Sequence, residues 1–243
     1  MSSGYDILAK YYDKFMIEFP YDKWVSFIDT FCDRKLSILE LGCGTGNLTI
    51  RLKKLGYDVT GIDIESNMLS IAEQKITKER LEIPLICDDM LNADYLSCNQ
   101  IICPNDGVNS ILDKRELEIF FKKVFNSFKG NGTFIFDVST LKKFSDMQGE
   151  IFCEDYKELT YIWDTIISKD NIVDFYLTFF ENIMGNRYKR TDLSITQRGY
   201  TLEELKTALN WAGFTSIETY EDYNKKIIKS CEQSHRITFV AKK

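Results

Sequence analysis

The stretch that most constrains this 243-residue chain is Leu36-Ser37-Ile38-Leu39-Glu40-Leu41-Gly42-Cys43-Gly44-Thr45-Gly46. A short apolar run of this kind reads as a buried strand, and three glycines in five residues let the backbone turn sharply where it ends. Beyond the turn, Leu48, Leu52 and Leu55 recur at helical spacing, and Gly56 is a natural stop. Strand, glycine turn and helix in that order open a βαβ unit and predict a parallel sheet.

The same grammar continues. Val59–Ile64, Pro84–Cys87, Ile101–Cys103 and Thr133–Val138 read as strands, and Ser66–Thr77 as a helix. Leu117, Phe120, Phe121, Val124, Phe125 and Phe128 mark a longer amphipathic helix. Two helices precede the first strand, one with Ile7, Leu8, Tyr11, Tyr12 and Phe15 on a stripe and one after Pro20. Near the end, Thr201 and Glu204 form a capping box, Gly213 stops that helix, and strands follow at 215–219 and 236–241. The fold class expected is α/β: a doubly wound, mostly parallel seven-stranded sheet with helices on both faces. From 150 to 198 the period changes to two, with turn signals at Lys169-Asp170-Asn171 and Gly185-Asn186. This predicts an inserted antiparallel meander of three or four strands, so that 1–149 and 199–243 form one domain and 150–198 a cap.

The glycine turn points to a ligand. Its glycines leave no Cβ between backbone and guest, and the following helix aims free N–H groups at it. A dinucleotide pyrophosphate calls for GxGxxG, but Asn47 or Thr49 stands where the third glycine is needed. GxGxG behind Glu40 suits instead a ligand with a carboxylate and an ammonium. Asp63, at the tip of the second strand, can accept both hydroxyls of a ribose. Cys87-Asp88-Asp89-Met90, at the tip of the third, can take an exocyclic amine and a ring nitrogen of adenine.

Ile38–Gly46, Val59–Asp63 and Asp88-Asp89-Met90-Leu91 together resemble the class I S-adenosylmethionine-dependent methyltransferases. The likeness spans roughly residues 36–140 in order and spacing, and the last helix and strands extend it. Tyr5–Asp13 also resembles the N-terminal helix of that family's small-molecule branch, which includes sugar-amine and glycine N-methyltransferases. The resemblance implies S-adenosyl-L-methionine as cofactor. Gly42, Cys43, Gly44, Thr45 and Gly46 would border its methionine part and ribose, Asp63 would hold the ribose hydroxyls, and Ile64 would pack on the adenine. Asp89 and Met90 would meet the adenine edge, with Asp88 in the alternative register. Tyr12 would close over the cofactor. One departure stands out: Asn99-Gln100 replaces the acidic residue that usually opens the fourth strand.

For the acceptor side, Cys103-Pro104-Asn105-Asp106 follows the fourth strand, where acceptor meets methyl group. Asn105, Asp106 and Asn109 are candidates for the polar lining, with Asp106 as a general base and Tyr12 as a positioning group. Tyr188 and Arg190, on one face of a strand in the insert, are candidates to face the acceptor. His235 opens the final strand, a place expected to be exposed. Lys225, Lys226 and Lys229 read as a solvated loop. The seven cysteines are odd in number and never spaced CxxC, and there is one histidine, which argues against disulfide scaffolds and against zinc. Basic residues number 31 against 37 acidic, a net charge of −6 that disfavours nucleic acid. No apolar run approaches the roughly 20 residues of a membrane helix, and residues 1–12 lack a signal-peptide pattern. The expectation is a cytoplasmic methyltransferase acting on a small molecule at N or O. The alternatives are a nicotinamide-dependent oxidoreductase and a non-catalytic S-adenosylmethionine-binding protein. Nothing in the sequence signals an oligomeric state.

Overall fold

Side chains alternate between two cores along each central strand, and this alternation sets the architecture. In the computed structural model, which describes residues 4–95, 98–225, 227–228 and 233–243, the central strands are β1 (Ile38–Leu41), β2 (Val59–Asp63), β3 (Leu85–Cys87), β4 (Gln100–Cys103) and β5 (Thr133–Ser139). Leu39, Ile101, Phe134 and Phe136 point to one side, where α5 (Lys114–Ser127) brings Leu117, Phe120, Phe121 and Val124, and α7 (Leu202–Ala212) brings Leu205 and Leu209. Ile38, Val59, Ile102 and Ile135 point to the other, against Trp24, Phe27 and Ile28 of α2 (Tyr21–Phe31) and Leu48 and Leu52 of α3 (Asn47–Lys54). Burial on both faces is what a parallel sheet requires.

The sheet has seven strands in the order β10-β11-β5-β4-β1-β2-β3, with β10 (Ser216–Glu221) and β11 (Arg236–Lys242). β11 runs antiparallel to both β5 and β10, and the other pairs are parallel. β1 and β4 are neighbours although the chain visits β2, α4 (Ser66–Lys78) and β3 between them. The strand order therefore reverses at β1/β4, and the crevice beyond their C-terminal ends is where such sheets bind ligands. Gln100, standing where an acid was the pattern, is 3 % exposed; its amide donates to the carbonyls of Asp33 and Leu36, 3.1 Å each, and staples the entry to β1.

The second sheet is antiparallel, β6 (Ile151–Asp155), β7 (Leu159–Ile167), β8 (Ile172–Met184) and β9 (Arg187–Arg198), in that order. The meander thus has four strands, and its turns carry the left-handed residues Asp170, Asn171 and Gly185. Its inner face buries Leu159, Val173, Phe175, Leu177, Phe179 and Leu193 against Ile7 and Tyr11 of α1 (Gly4–Phe15) and Phe144 of α6 (Leu141–Met147). The α6 helix was not foreseen: seven residues with one buried apolar side chain give no periodicity to read. The Thr201–Glu204 capping box is formed, and Gly213 ends α7 with φ +113°. Among the described residues no helix is long and apolar enough to cross a membrane. Lys226, Lys229 and Cys231 lie outside the described residues.

Candidate active site

The turn after β1 is built from left-handed residues: Gly42, Gly44 and Gly46 have φ of +72°, +54° and +72°. A Cβ at Gly42 or Gly44 would meet nothing within 4 Å, so this backbone borders open space. The tip of β2 is bonded to it. Asp63 Oδ2 accepts the Gly44 N–H at 2.7 Å and Oδ1 the Glu65 N–H at 2.9 Å. The N-cap of α4 is Glu65, so Asp63 is not serving there. Burial raises the Asp63 carboxyl above its ordinary range, against the pull of those two N–H groups.

A cavity of about 310 Å³ opens over this junction. Gly42, Asp63, Ile64, Asp88, Asp89 and Met90 line it, with Gly107 and Ser110 from the loop after β4. Ile64 is 61 % exposed and presents apolar surface to it. The two acids differ. Asp89 turns its carboxylate inward, accepting the Leu91 N–H at 2.8 Å and the Asn92 side-chain amide at 3.2 Å. Asp88 engages one oxygen, with the Asp89 N–H at 2.8 Å. Cys43 and Thr45 are buried, and Thr45 donates its hydroxyl to Asp13 rather than into the cavity.

Glu40 is 1 % exposed, and its Oε2 has no hydrogen-bond partner. Burial pushes its carboxyl up to about 8, with Asp63 adding to the shift. The Thr49 hydroxyl opposes that shift, yet a buried carboxylate with one oxygen unpaired beside a second carboxylate is costly, and a cationic guest relieves it. These residues fit S-adenosyl-L-methionine, which carries a ribose, a planar adenine and a positive charge.

On the β4 side, Asn105 and Asp106 both have positive φ, +58° and +63°, a conformation that costs about 1 kcal/mol or more per non-glycine residue. Arg236, opening β11, reaches Asp106 with two nitrogens, at 2.6 and 3.1 Å, and also binds the fully buried Asp137 of β5. Tyr223 donates to Asp137 at 3.4 Å, and the Lys143 ammonium lies 3.7 Å from Asp106. Although burial alone would raise it, Arg236 and Lys143 bring the Asp106 carboxyl below its ordinary range. Burial pushes Asp137 up, against the pull of Arg236. Burial raises the Tyr12 hydroxyl well above the usual phenol range, and Tyr21 and the charges of Asp106 and Asp63 add to this.

Three acceptor-side expectations need correcting. Asp106 is a clamped anion, a poor proton acceptor near neutrality. Asn109 lines nothing: it is fully buried, donating to the Ser139 and Arg198 carbonyls and accepting the Ser139 N–H at 2.9 Å. Its amide is spent tying the loop after β4 to β5 and β9. Tyr188 and Arg190 lie exposed near the β8–β9 turn, and Arg190 pairs with Asp192 at 2.9 Å rather than facing the crevice. His235 is exposed, as expected, and meets Asp146 at 2.7 Å. Sequence reasoning missed Asp13, Asp137, Lys143, Tyr223 and Arg236. The readable signal was Asp137 inside Phe-Ile-Phe-Asp-Val, since a charge in a buried strand needs a partner, and Arg236 opens the neighbouring strand.

Comparison with known proteins agrees with this geometry. Residues 38–132 match the model of a family described as a methyltransferase domain. A protein of Geobacillus sp. (strain WCH70) that is named as a methyltransferase is 36 % identical over 253 aligned positions, covering 98 % of this chain and 99 % of its own. The crystal structure of an S-adenosylmethionine-dependent methyltransferase from Clostridium acetobutylicum superposes with a TM-score of 0.85 at 32 % identity, over 98 % of each chain. The sugar N-methyltransferase KedS8 of Streptoalloteichus sp. shares the fold, with a TM-score of 0.74 at 17 % identity over 99 % of this chain and 93 % of that one. A glycine turn locked to a strand-tip carboxylate, a nucleoside-sized cavity and relatives matched end to end lead to one assignment: the chain belongs to the S-adenosylmethionine-dependent methyltransferases.

Proposed function

We propose that this methyltransferase acts in the cytoplasm on a small-molecule acceptor, at nitrogen or oxygen, with nitrogen favoured. Residues 1–149 and 199–243 would form the cofactor-binding domain and 150–198 the cap over the acceptor. The observation that carries the reading is the cavity over Gly42 and Asp63, bounded on its β4 side by Gly107 and Ser110. Asp63 would hold the ribose hydroxyls and Ile64 the adenine face. Asp88 is the better placed of the two acids for the adenine amine, because the Asp89 carboxylate is occupied by its own turn. Glu40 would answer the positive charge.

When bound, S-adenosyl-L-methionine supplies a methyl group already activated by the sulfonium. The protein's task is then to hold donor and acceptor in line and keep water out, and such positioning supplies about 7–11 kcal/mol of a barrier. Tyr12 keeps its proton and can donate a hydrogen bond to the acceptor. Asp106, held by Arg236, stays ionised and orients the acceptor without taking a proton from it. A hydroxyl acceptor needs a base, whereas a neutral amine brings its own lone pair, so this corner suits an amine. The net charge of −6 speaks against a nucleic-acid acceptor, and the six described cysteines are all free thiols, as suits a reducing compartment.

The test is to follow S-adenosylhomocysteine release by the full chain with panels of small amines, hydroxy compounds and carboxylic acids, and with protein and RNA substrates. Turnover with amines is the expected result. Turnover confined to hydroxyl compounds would overturn the preference for nitrogen, and turnover confined to macromolecules would overturn the small-molecule reading.

A further inference from the structure

Helix α1 has two faces with different attachments. One, with Ile7 and Tyr11, is seated in the core of the second sheet, where the Tyr11 hydroxyl donates to Glu181 at 2.9 Å. The other meets the cofactor domain at both ends, through Asp6, which accepts from the Asn67 amide at 2.5 Å in the first turn, and through a single carboxylate near the last turn. Asp13 Oδ1 accepts from the Thr45 hydroxyl at 2.5 Å and from the Asn47 amide at 2.8 Å, and Oδ2 from the Lys75 ammonium at 2.7 Å. Lys75 also donates to Asn47 Oδ1 at 2.6 Å, and Asn47 donates to the Tyr21 hydroxyl at 3.1 Å. Thr45 and Asn47 flank Gly46, so the knot joins α1 to the glycine turn, α2, α3 and α4 together. Its bonds at Asp13 and Lys75 are charge-assisted, the stronger kind.

Asp13 directly follows Tyr12, whose hydroxyl feels the charges of both Asp106 and Asp63. We infer that Asp13 is a positioning residue: by fastening the end of α1 to Thr45, Asn47 and Lys75, it seats Tyr12 over the cofactor and sets how fast the cofactor leaves. This rests on the proposed methyltransferase reading of the site and on Tyr12 closing over the cofactor, as the resemblance implies. With the knot cut, α1 keeps its seat on the second sheet, so the helix persists while its end lifts from the glycine turn. The rate of cofactor exchange then rises without general loss of structure.

The experiment measures S-adenosylhomocysteine dissociation by surface plasmon resonance for the full chain and for Asp13→Ala, Asp13→Asn, Lys75→Met, Tyr12→Ala and the double variant Tyr12→Ala/Asp13→Ala. Dissociation is expected to quicken roughly tenfold in Asp13→Ala, the effect of losing one charge-assisted tie, and less in Asp13→Asn, which keeps an acceptor for Thr45. Because Asp13 acts through Tyr12, removing it from the Tyr12→Ala background should add nothing. Hydrogen exchange in ligand-free Asp13→Asn should quicken in the last turn of α1 and stay unchanged in the β5 core. Unchanged dissociation in the Asp13 and Lys75 variants overturns the inference, as does full additivity with Tyr12→Ala or exchange that quickens everywhere. If Asp13→Ala does not fold, Asp13→Asn and Lys75→Met carry the same decision. A wild-type chain that fails to bind S-adenosylhomocysteine overturns the proposed cofactor placement itself, whereas wild-type binding with unaltered variant rates overturns the role of Asp13 alone.

Discussion

Asp63 Oδ2 accepts the backbone N–H of Gly44 at 2.7 Å, so the tip of β2 is bonded to the middle of the glycine turn that follows β1. Two loops far apart in sequence are held as one surface, and the carboxylate is oriented before any ligand arrives. Such preorganisation is what a site needs to bind without first ordering itself.

Asp63→Ala should therefore affect binding twice over, by loosening the turn and by removing the proposed ribose acceptor. S-adenosylhomocysteine affinity is expected to fall about 10²-fold, roughly 3 kcal/mol, with a smaller loss in Asp63→Asn. Calorimetric titration measures both. An unchanged dissociation constant in Asp63→Ala would remove the ribose assignment.

Glu40 predicts a pH dependence with a definite sign. Its carboxyl is pushed up to about 8 in the folded protein against an ordinary 4.5, so between these values the folded state holds a proton that the unfolded chain has released. Its contribution to stability is greatest below the unfolded value and declines as pH rises through that window, by at most about 1.4 kcal/mol per pH unit. Thermal unfolding of wild type and Glu40→Gln across pH 4.5–8 isolates this term, because other carboxylates are common to both. The melting-temperature difference should move in favour of Glu40→Gln with rising pH, and a constant difference would mean that Glu40 is not the titrating group. A cationic ligand favours the ionised form, so binding near pH 6.5 should release a proton. Heats measured in buffers of different ionisation enthalpy would reveal it.

Arg236 is shared by two carboxylates, the buried Asp137 and the largely buried Asp106. Arg236→Met strands Asp106 and Asp137 together, and a buried charge left without its partner costs about 3–5 kcal/mol. Urea unfolding should show a loss of that order for Arg236→Met and a smaller one for Arg236→Lys. A loss below about 1 kcal/mol, the range of exposed pairs, would contradict the buried clamp.

Asn109→Ala separates a structural role from a binding one. It leaves the Ser139 and Arg198 backbone groups unpaired in a dry place, at an expected cost of about 1–3 kcal/mol. S-adenosylhomocysteine affinity measured well below the melting temperature should stay within twofold of wild type. A large affinity loss with unchanged stability would return Asn109 to the site lining.

The cavity over the glycine turn was legible because its signal is local. Glycines forced to positive φ, a strand-tip Asp63 and the Asp88-Asp89-Met90 tip lie beside the strands that position them, so order and spacing suffice. The second sheet was legible for the same reason, as alternation at Val173–Phe179 is a period of two whatever it packs on. The acceptor half was not, because its members meet only through topology. Asp106 follows β4, Asp137 lies in β5 and Arg236 opens β11, and nothing local announces that β11 runs antiparallel beside β5 and brings the guanidinium to both acids. Asn109 looked like a lining residue because it lies three residues beyond Asp106, yet the 3-10 turn at Gly107–Ser110 points it into the interior. Helix α6 and the Asp13 knot were hidden in the same way, one too short for a pattern and the other made of side chains from four segments.

The most direct test of the central claim is a calorimetric titration of the full chain with S-adenosylhomocysteine, with NAD run in parallel. The account predicts saturable one-to-one binding of the first and no heat with the second. Binding of NAD, or no heat with S-adenosylhomocysteine, would contradict it.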